Sequence, residues 1–507
     1  MFLVLGSLLF CLLNILAFYL YNCYTYWKRR GVLYETPIPP FGNFLGVGRT
    51  KHLRDVIGQL YTKFKGKAPF CGAYLFTSKS AVIFDLDLIK NVLIKDFSNF
   101  HDRNAFHNVE EDPLTGHLVT LEGEEWRAMR TKLSPVFTSA KMKYMFPTMV
   151  AVGENFSQTL KQELNKTPDS VLEIKDLCAR FTTDVIGSCA FGIECNSLQD
   201  PNAEFRVKGR SIFTESRHSP LVQLFMVTCP DLARKLHMKF FTDNVSNFFI
   251  NIVKQTVDYR LANNIKRNDF MDLMIELKTK NDDNKHKSHG IDLSEGLTIE
   301  QIAAQTFVFF LGGFETSSTT MSFCLYELAK AVEIQEKLRR EILATIKECN
   351  NEITYEGVKS MAYLEQVIAE TLRLYPVLPN LLRKAKNDYQ VPNSEHVIEK
   401  GITVIIPVSV IHYDAQYYDE PTKFNPDRFL PSEIEKRHSS TYLPFGDGPR
   451  NCIGARFGKM QTKLGLISIL SHYRVECCSK TEIPIEYDKK NFLVSSKNGI
   501  HLKVVPL

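Results

Sequence analysis

The feature that most constrains this chain of 507 residues is a glycine-rich segment around one cysteine, residues 445–454. Its glycines let the backbone approach a flat partner closely, because no β-carbon stands in the way. A helix that begins just after Cys452 would direct amide N–H groups at the sulfur and stabilise its thiolate form. Arg450 could pair with a carboxylate of the same partner. The segment therefore predicts a thiolate that binds a planar cofactor, and an incidental cysteine in a loop is the alternative.

The spacing of this segment, Phe-x-x-Gly-x-Arg-x-Cys-x-Gly, resembles the signature of the cytochrome P-450 family and meets it without a gap. The resemblance implies the cytochrome P-450 fold, which is mainly α-helical with small β-sheets. It implies haem b (iron protoporphyrin IX) as cofactor, with Cys452 as the axial iron ligand and with Arg450 and Phe445 as further cofactor-binding residues. A thiolate ligand favours cleavage of the O–O bond by pushing electron density towards oxygen.

An ionic triad extends the resemblance towards the middle of the chain. Glu370 and Arg373, in Glu-Thr-Leu-Arg, are three residues apart on a predicted helix and share a face. In the family's pattern this pair is buried and joined by a later arginine, here Arg428 in Asn-Pro-Asp-Arg-Phe. Loss of one member of a buried ion pair costs about 3–5 kcal/mol. The resemblance implies a structural role for these three residues, not a catalytic one.

Helical periodicity dominates to about residue 380, and short strand patterns appear at residues 81–84, at 404–407 and from Tyr473 onward. The longest predicted helix begins behind a capping box formed by Thr298 and Gln301. It is apolar nearly all round in its first half, which is typical of a helix that crosses a protein core. A second membrane span is the alternative, which Gln305 and Glu315 weaken.

Two consecutive glycines, Gly312 and Gly313, lie inside this helix. Each costs about 1 kcal/mol relative to alanine, so another role should compensate. The resemblance places them over the haem, where a distorted helix opens room for dioxygen. It assigns Thr316 as the catalytic hydroxyl that hydrogen-bonds the activated oxygen, and Glu315 as the carboxylate that relays protons from solvent. A helix–helix contact through small residues beside a surface glutamate is the alternative.

Further residues resemble the set with which the family binds haem propionates. Trp126 and Arg130 are one helical turn apart, and Arg103, in Phe-His-Asp-Arg, is a third candidate. The chain departs from some relatives at Asn380, where they carry an arginine four residues beyond a proline. The nearest arginine is Arg383. For Arg383 a propionate contact and a surface role both stay open.

The substrate pocket is the part that the sequence constrains least. Candidate wall positions come from the loop before Trp126, from the long helix and from the segment after the Glu-x-x-Arg pair. Most are apolar or aromatic, which suits a lipophilic small molecule, and plain core is the alternative for each. They are Phe106, His107, Phe309, Phe310, Val377 and Leu378. Residues 221–241 mix apolar and basic side chains and are predicted to touch a membrane as a substrate access route.

The N-terminal segment predicts a membrane anchor. Residues 2–21 are almost continuously apolar and are followed by Lys28, Arg29 and Arg30, and about twenty such residues span a bilayer. The basic residues place the N-terminus in the lumen and the rest in the cytosol. A cleaved secretory signal is the alternative, although its basic residues would precede the apolar core. We predict an anchor over residues 1–30 and a single haem-binding catalytic domain over residues 31–507, on the cytosolic side of the endoplasmic reticulum (microsomal) membrane.

Composition bears on the partners. Lys and Arg number 62 against 57 Asp and Glu, too small an excess to indicate nucleic acid. The 12 cysteines show no Cys-x-x-Cys spacing, which argues against a structural zinc site. No Gly-x-Gly-x-x-Gly follows a strand, so the chain has no evident nicotinamide site. The resemblance then implies electrons from NADPH-cytochrome P-450 reductase, with cytochrome b5 as a further candidate partner. Candidate residues for a basic docking face are Arg127, Lys132, Lys141, Arg456, Lys459 and Lys463.

Together these features predict a haem-thiolate monooxygenase that inserts one oxygen atom from O2 into lipophilic small molecules. The phrases Phe-Gly-Asp-Gly-Pro-Arg-Asn-Cys-Ile-Gly and Leu-Ser-Pro-Val-Phe resemble the insect microsomal branch, so plant toxins and insecticides are the predicted substrates. An endogenous hormone or lipid hydroxylase of the same fold is the first alternative. A reductase-independent isomerase or dehydratase is the second, and a non-enzymatic haem carrier or sensor is the third. Intact Glu315 and Thr316 argue against the second, and the full set of oxygen-activating motifs argues against the third.

Overall fold

The computed structural model describes residues 2–267, 269–279 and 296–507. The helices are α1 (Phe2–Tyr24), α2 (Tyr26–Arg29), α3 (Leu53–Phe64), α4 (Leu86–Lys90), α5 (Gly123–Leu133), α6 (Ser139–Lys166), α7 (Ile174–Ile186), α8 (Glu204–Thr214), α9 (Pro220–Thr228), α10 (Pro230–Lys235), α11 (Asp243–Asn263), α12 (Phe270–Thr279), α13 (Ile299–Lys330), α14 (Val332–Glu348), α15 (Tyr355–Ser360), α16 (Ala362–Leu374), α17 (Val408–His412), α18 (Pro431–Ile434) and α19 (Ala455–Leu470). The strands are β1 (Phe70–Leu75), β2 (Ser78–Ile83), β3 (Val171–Glu173), β4 (Leu381–Lys384), β5 (Tyr389–Gln390), β6 (Val397–Ile398), β7 (Thr403–Ile406), β8 (Tyr473–Glu476) and β9 (His501–Pro506).

The long helix α13 forms where the sequence predicts it. The hydroxyl of Thr298 accepts a hydrogen bond from the N–H of Gln301 at 3.2 Å, and the Gln301 side chain accepts one from the N–H of Thr298 at 3.0 Å. The predicted capping box is therefore present. α13 runs through the larger hydrophobic cluster and packs against α7, α11, α16 and α19. Of the helices that the structure describes, α1 alone is long and apolar enough to span a membrane, so α13 is a core helix.

Three small sheets complete the fold. In the largest, the strand order is β1-β2-β7-β4, with β2 and β7 parallel and the other two pairs antiparallel. Ala81 of β2 lies opposite Val404 of β7, which joins two of the predicted strand patterns. The same sheet carries Arg383 on β4, opposite Val404. The second sheet has the order β3-β9-β8, and the third pairs β5 with β6.

Two main hydrophobic clusters hold these elements together. The larger lies among the helices, and the smaller surrounds the first sheet. This architecture confirms the predicted fold class, mainly α with small β-sheets. The smaller cluster includes Tyr24, Tyr26 and Trp27, and Trp27 has no exposed surface. The predicted division at residue 30 stays a prediction, and the structure places these three residues in the core of the body.

Candidate active site

The loop that carries Cys452 is shaped by glycines. Gly446 and Gly448 have φ values of 68° and 71°, a region that glycine enters without steric cost. A β-carbon on Gly448 would lie 1.9 Å from the carbonyl oxygen of Leu93, so only glycine fits there. The sequence predicted that the glycines allow close approach to a planar cofactor. At Gly448 the close neighbour is instead the protein's own backbone. The loop closes when the N–H of Cys452 donates to the carbonyl of Phe445 at 2.9 Å.

The thiol of Cys452 faces internal space. Its side chain is accessible, yet burial raises the pKa of the thiol. Both properties are expected of a side chain that lines a cavity inside a protein. The backbone N–H of Gly454 and the charges of Arg103 and Arg130 act in the opposite direction and favour the thiolate. Because α19 begins at Ala455, the amide comes from the start of a helix, as the sequence predicts.

Three arginines crowd the region beside this cavity. Burial lowers the pKa of Arg103 to about 10 and that of Arg450 to about 9. Burial, and then the neighbouring charge of Arg103, lower the pKa of Arg383 to about 9. The Nε atoms of Arg383 and Arg450 are buried without a hydrogen-bond partner. Within the described part of the chain, the carboxylate that forms an ion pair with this group is Asp102, 3.6 Å from Arg450.

The arginines also brace the cysteine loop. Arg103 Nη2 donates to the carbonyl of Arg450 at 2.9 Å, and Arg130 donates to the carbonyl and the side-chain oxygen of Asn451 at 3.1 and 2.9 Å. The guanidinium of Arg450 lies 4.7 Å from the centre of the buried Trp126 ring. Sequence reasoning found Arg103, Trp126, Arg130 and Arg450, and the structure brings all four to the loop of Cys452.

These residues fit a haem. Buried positive charges without counter-charges are costly, and two guanidinium groups retain unpaired Nε donors, so the arginine cluster suits a ligand that carries carboxylates. Haem propionates are such carboxylates, and the accessible thiol of Cys452 is a ligand for iron. For Arg383 the sequence left both a propionate contact and a surface role open. Its side chain is 1% exposed and adjoins Arg103. A surface role for Arg383 is wrong.

Helix α13 presents its glycines in two directions. A β-carbon on Gly313 would lie 2.3 Å from Cδ1 of Ile186 on α7, so this glycine allows close helix packing. Gly312 has open space where its side chain would be, and the hydroxyl of Thr316 donates to its carbonyl oxygen. The helix-contact interpretation therefore holds for Gly313, whereas Gly312 and Thr316 lie beside accessible space.

Glu315 is held by a lysine that the sequence did not single out. Lys175 Nζ, on the first turn of α7, lies 3.0 Å from a carboxylate oxygen of Glu315. The same ammonium donates to the hydroxyl of Ser318 at 2.6 Å. Both partners of the ion pair are mostly but not completely buried, with side chains 21% and 15% exposed. The carboxylate of Glu315 therefore keeps some contact with solvent, one residue before Thr316 on α13.

The Glu370–Arg373 pair is buried as the resemblance implies. Both side chains are 0% exposed and form a bidentate pair with distances of 2.7 and 2.8 Å. Arg428 approaches the same carboxylate at 3.4 Å. Arg373 also donates to the carbonyls of His412 and Pro421 at 2.8 Å each, so the pair fastens α16 to the segment that leads to the cysteine loop.

The predicted pocket residues differ in how much of their surface is exposed. His107 is half-buried and Leu378 is exposed, whereas Phe106 and Val377 are nearly buried. The ring of Phe309 is enclosed by Phe137, Phe270 and Phe457. Phe310 has no exposed surface and packs among other phenylalanines, so the prediction that it lines a pocket is wrong. The sequence pattern shows that this stretch is apolar, but it does not show which side of α13 borders accessible space.

Sequence reasoning missed the accessible face of α13. Val308, Leu311 and Gly312 keep exposed surface on a helix that is otherwise largely buried. Val308 and Gly312 precede Thr316 by eight and four residues, which places them near the same face. Counting back in steps of four from Thr316 would have found both.

Two of the predicted docking lysines are engaged within the chain. Lys463 is 5% exposed and lies 3.0 Å from Glu365, so a role for it in surface docking is wrong. Lys459 pairs with the same carboxylate at 2.6 Å. Arg127 and Arg456 are exposed, and they remain candidates together with Lys132 and Lys141.

Comparison with known proteins identifies the family. A family model described as Cytochrome P450 matches residues 33–503. In Drosophila melanogaster, a probable cytochrome P450 6a14 is 55% identical over 484 residues, which cover 95% of each chain. A probable cytochrome P450 6a13 is 52% identical over 481 residues, 95% of this chain and 94% of the relative. Cytochrome P450 6a2 of the same fly is 48% identical over 504 residues, 99% of each chain.

The fold and the site thus define a haem-thiolate oxidoreductase. The chain belongs to the cytochrome P450 family and is a monooxygenase whose cofactor is haem with cysteine thiolate ligation. The fly relatives confirm the resemblance to the insect branch.

Proposed function

We propose that this monooxygenase inserts one oxygen atom from O2 into lipophilic xenobiotics, such as plant toxins or insecticides. Two observations carry the proposal, the arginine cluster at the loop of Cys452 and the accessible face of α13 at Gly312 and Thr316. They are linked because α19, which follows the cysteine loop, packs against α13. The insect relatives support xenobiotics as the substrate class. The apolar character of Val308, Leu311 and Leu378 suits a lipophilic substrate.

The proposed roles of the residues follow from their contacts. When bound through Cys452, the haem supplies the oxidising chemistry. Arg103, Arg383 and Arg450 neutralise carboxylates of the cofactor and fix its orientation, with Trp126 packed on Arg450. Arg130 holds the backbone next to Cys452 through Asn451.

Proton supply falls to two neighbours on α13. Glu315, held by Lys175, takes protons from solvent, and the hydroxyl of Thr316 passes them to the reaction space beside Gly312. The Thr316 hydroxyl lies beside that space, where it donates to the carbonyl of Gly312.

We further propose the partners and the location. Electrons come from NADPH-cytochrome P-450 reductase, with cytochrome b5 as a second donor, and both dock near exposed Arg127 and Arg456. α1 anchors the chain in the endoplasmic reticulum membrane with the catalytic body in the cytosol. Its apolar length and the following Lys28, Arg29 and Arg30 support this orientation.

Replacement of Cys452 tests the site. The Cys452→Ala chain is expected to lose the strongly red-shifted Soret band of the reduced carbon-monoxide complex, together with all reductase-dependent oxidation. Cys229→Ala, which alters another exposed cysteine, is the matched control and should keep both. A thiolate band that persists in Cys452→Ala would remove Cys452 from the site.

The reaction is tested with the parent chain in membranes that contain reductase. NADPH consumption and product formation are measured over a panel of lipophilic plant toxins and insecticides, with fatty acids and steroid hormones as comparison compounds. Oxidation of panel xenobiotics supports the proposal. Oxidation confined to the endogenous lipids would overturn the substrate class and leave the monooxygenase intact.

A further inference from the structure

Asp102 joins the elements that surround the arginine cluster of Arg103, Arg383 and Arg450. Its carbonyl accepts the N–H of Lys384 at 2.8 Å, which pairs residue 102 with strand β4 beside Arg383. Its carboxylate accepts the N–H of Gly123 at 2.8 Å, at the start of α5. One residue therefore ties β4 and α5 to each other next to the cluster.

The residues on either side of Asp102 hold one arginine of the cluster. Arg450 donates through Nη1 to the carbonyl of His101, and Arg103 donates through Nη2 to the carbonyl of Arg450 at 2.9 Å. Between them, Oδ1 of Asp102 lies 3.6 Å from Nη1 of Arg450. Residues 101–103 thus contact both the backbone and the guanidinium group of Arg450.

The carboxylate of Asp102 is ionised at neutral pH although its side chain is only 19% exposed. Burial opposes ionisation, but hydrogen bonds to His101 and Gly123 and the charge of Arg450 together lower the pKa of Asp102. The ring Nδ1 of His101 lies 2.7 Å from Oδ1 of the carboxylate. Asp102 therefore supplies a permanent negative charge to the arginine cluster.

The charges of this region balance when Asp102 is included. Burial, followed by repulsion from Arg103, lowers the pKa values of Arg383 and Arg450. Haem brings two propionate carboxylates to these three guanidinium groups, so one buried positive charge would lack a counter-charge, which is costly. Glu122 also acts on Arg450, but burial and the charge of Asp102 raise the pKa of Glu122 and make it the weaker counter-charge. Asp102 provides the third negative charge.

We propose that Asp102 is the internal counter-charge of the arginine cluster, that it positions the cluster for the two haem carboxylates, and that it lowers the reduction potential of the iron. The inference rests on the binding of those carboxylates by Arg103, Arg383 and Arg450 proposed above. A nearby negative charge stabilises ferric iron relative to ferrous iron, because the ferrous state carries one positive charge fewer. Because it acts through the arginines, Asp102 is a positioning residue and not a catalytic one.

Substitution of Asp102 in the full-length holoprotein tests the inference through the reduction potential. Asp102→Asn keeps an oxygen that can accept from Gly123 but removes the charge. The potential of the ferric–ferrous couple, measured by spectroelectrochemical titration, is expected to rise by about 59 mV, which is about a tenfold change in a one-electron equilibrium. Asp102→Glu keeps the charge and should stay close to the parent.

A buried carboxylate away from the cluster provides the matched control. Asp184 accepts the N–H groups of Ser197 and Leu198 at 2.8 and 3.1 Å. Asp184→Asn therefore removes a carboxylate that also binds backbone N–H groups, and it should leave the potential unchanged. The reduced carbon-monoxide spectrum shows whether each variant holds haem through the thiolate.

A double variant keeps the test decisive if Asp102→Asn alone binds haem poorly. Asp102→Asn combined with Arg383→Gln leaves two guanidinium groups for two carboxylates, so its haem content and potential should return towards those of the parent. Such a return supports the charge balance. An unchanged potential in Asp102→Asn, or a double variant that loses more haem than either single variant, overturns the inference.

Arg450→Gln separates this inference from the proposed function on which it rests. If Arg450→Gln keeps the parental haem content and potential, Arg450 does not bind the haem carboxylates, and both proposals fail. If Arg450→Gln changes both quantities while Asp102→Asn changes neither, the role of the arginine cluster stands and only the role of Asp102 is wrong.

Discussion

At the scale of single residues, the proton supply proposed for Thr316 can be tested by substitution. The Thr316 hydroxyl lies beside the open space at Gly312, whereas the buried Thr306 makes the same type of hydrogen bond, to Ile302, away from that space. Thr316→Ala is expected to keep the haem and lower product formation by about 100-fold, the range of a lost proton donor. NADPH is then spent on hydrogen peroxide, which is measured against product.

Two further variants are controls for Thr316→Ala. Thr316→Ser restores a hydroxyl at the same place and should recover much of the coupling between NADPH and product. Thr306→Ala removes a buried hydroxyl of the same helix that makes the same type of backbone hydrogen bond, and it should leave coupling unchanged. If Thr316→Ala coupled electrons to product normally, Thr316 would not deliver protons.

His412 gives the protein a stability that depends on pH. Its Nδ1 lies 3.1 Å from the carbonyl of Arg373, and its Nε2 accepts from the N–H of Leu443 at 3.0 Å. Burial, followed by the charge of Arg373, lowers the pKa of His412 from 6.5 to about 3. The unfolded chain therefore binds a proton below about pH 6.5 that the folded chain refuses. This stability is complete above about pH 6.5 and is lost as the pH falls towards 3.

The expected loss is on the order of 5 kcal/mol when His412 has titrated fully, because each pKa unit corresponds to about 1.4 kcal/mol. Urea midpoints of the thiolate band are measured between about pH 7 and pH 4. His412→Asn should start with a lower midpoint but fall less steeply on acidification. The exposed His472→Asn serves as control, and a parental slope in His412→Asn would exclude His412 as the source.

At this scale some site residues could be predicted from the sequence and others could not. Cys452, Arg450 and the Glu370–Arg373 pair could be predicted because fixed spacing and chemistry identify them. Lys175 and His412 could not, since each acts through a partner distant along the chain, Glu315 or Leu443. A single sequence carries no signal for such pairings, whereas it does carry the spacing of a ligand loop.

At the scale of elements, the buried pair on α16 fastens three segments. Glu370 binds Arg373 and accepts from the N–H of Asn425 at 2.9 Å, while Arg373 binds carbonyls of two further segments. Arg373→Ala would leave a buried carboxylate without its partner, at a cost of about 3–5 kcal/mol. We expect a large loss of haem-loaded protein and a lower thermal midpoint of unfolding, both followed by the Soret band.

A surface pair provides the matched comparison. Lys423 and Glu420 lie 2.9 Å apart with side chains 62% and 63% exposed, and an exposed pair contributes at most about 1 kcal/mol. Lys423→Ala should therefore change the thermal midpoint little. If both alanine variants behaved alike, burial of the Glu370–Arg373 pair would have no energetic consequence.

Elements were predictable where a local signal marks their limits. The capping box of Thr298 and Gln301 located the start of α13, and short apolar strand patterns located β2 and β7. Pairing was not predictable, because β3 and β9 join residues more than 300 positions apart through Leu172 and Leu502. The accessible face of α13 could not be predicted for the same reason, because it depends on which helices pack around α13.

At the scale of the whole molecule, the smaller cluster links the anchor to the catalytic body. The sequence predicted a division at residue 30 because the basic residues end the apolar segment there. The structure places Trp27 against the first sheet, where its Nε1 donates to the carbonyl of Ala73 at 3.3 Å. A linear composition profile marks where apolar sequence ends, but not where the folded body begins.

Two truncations test where the body begins. Deletion of residues 2–20 removes most of α1 but keeps Trp27, whereas deletion of residues 2–30 also removes this fully buried ring. Loss of a buried tryptophan costs about 3–5 kcal/mol, so the longer deletion should unfold at lower urea and bind less haem. In the full-length chain, Trp27→Ala should reproduce most of that loss although α1 is intact. Equal stability of the two truncated chains in the same detergent would instead place the start of the folded body after residue 30, because the packing of Trp27 on Gly72 would then add nothing to the fold.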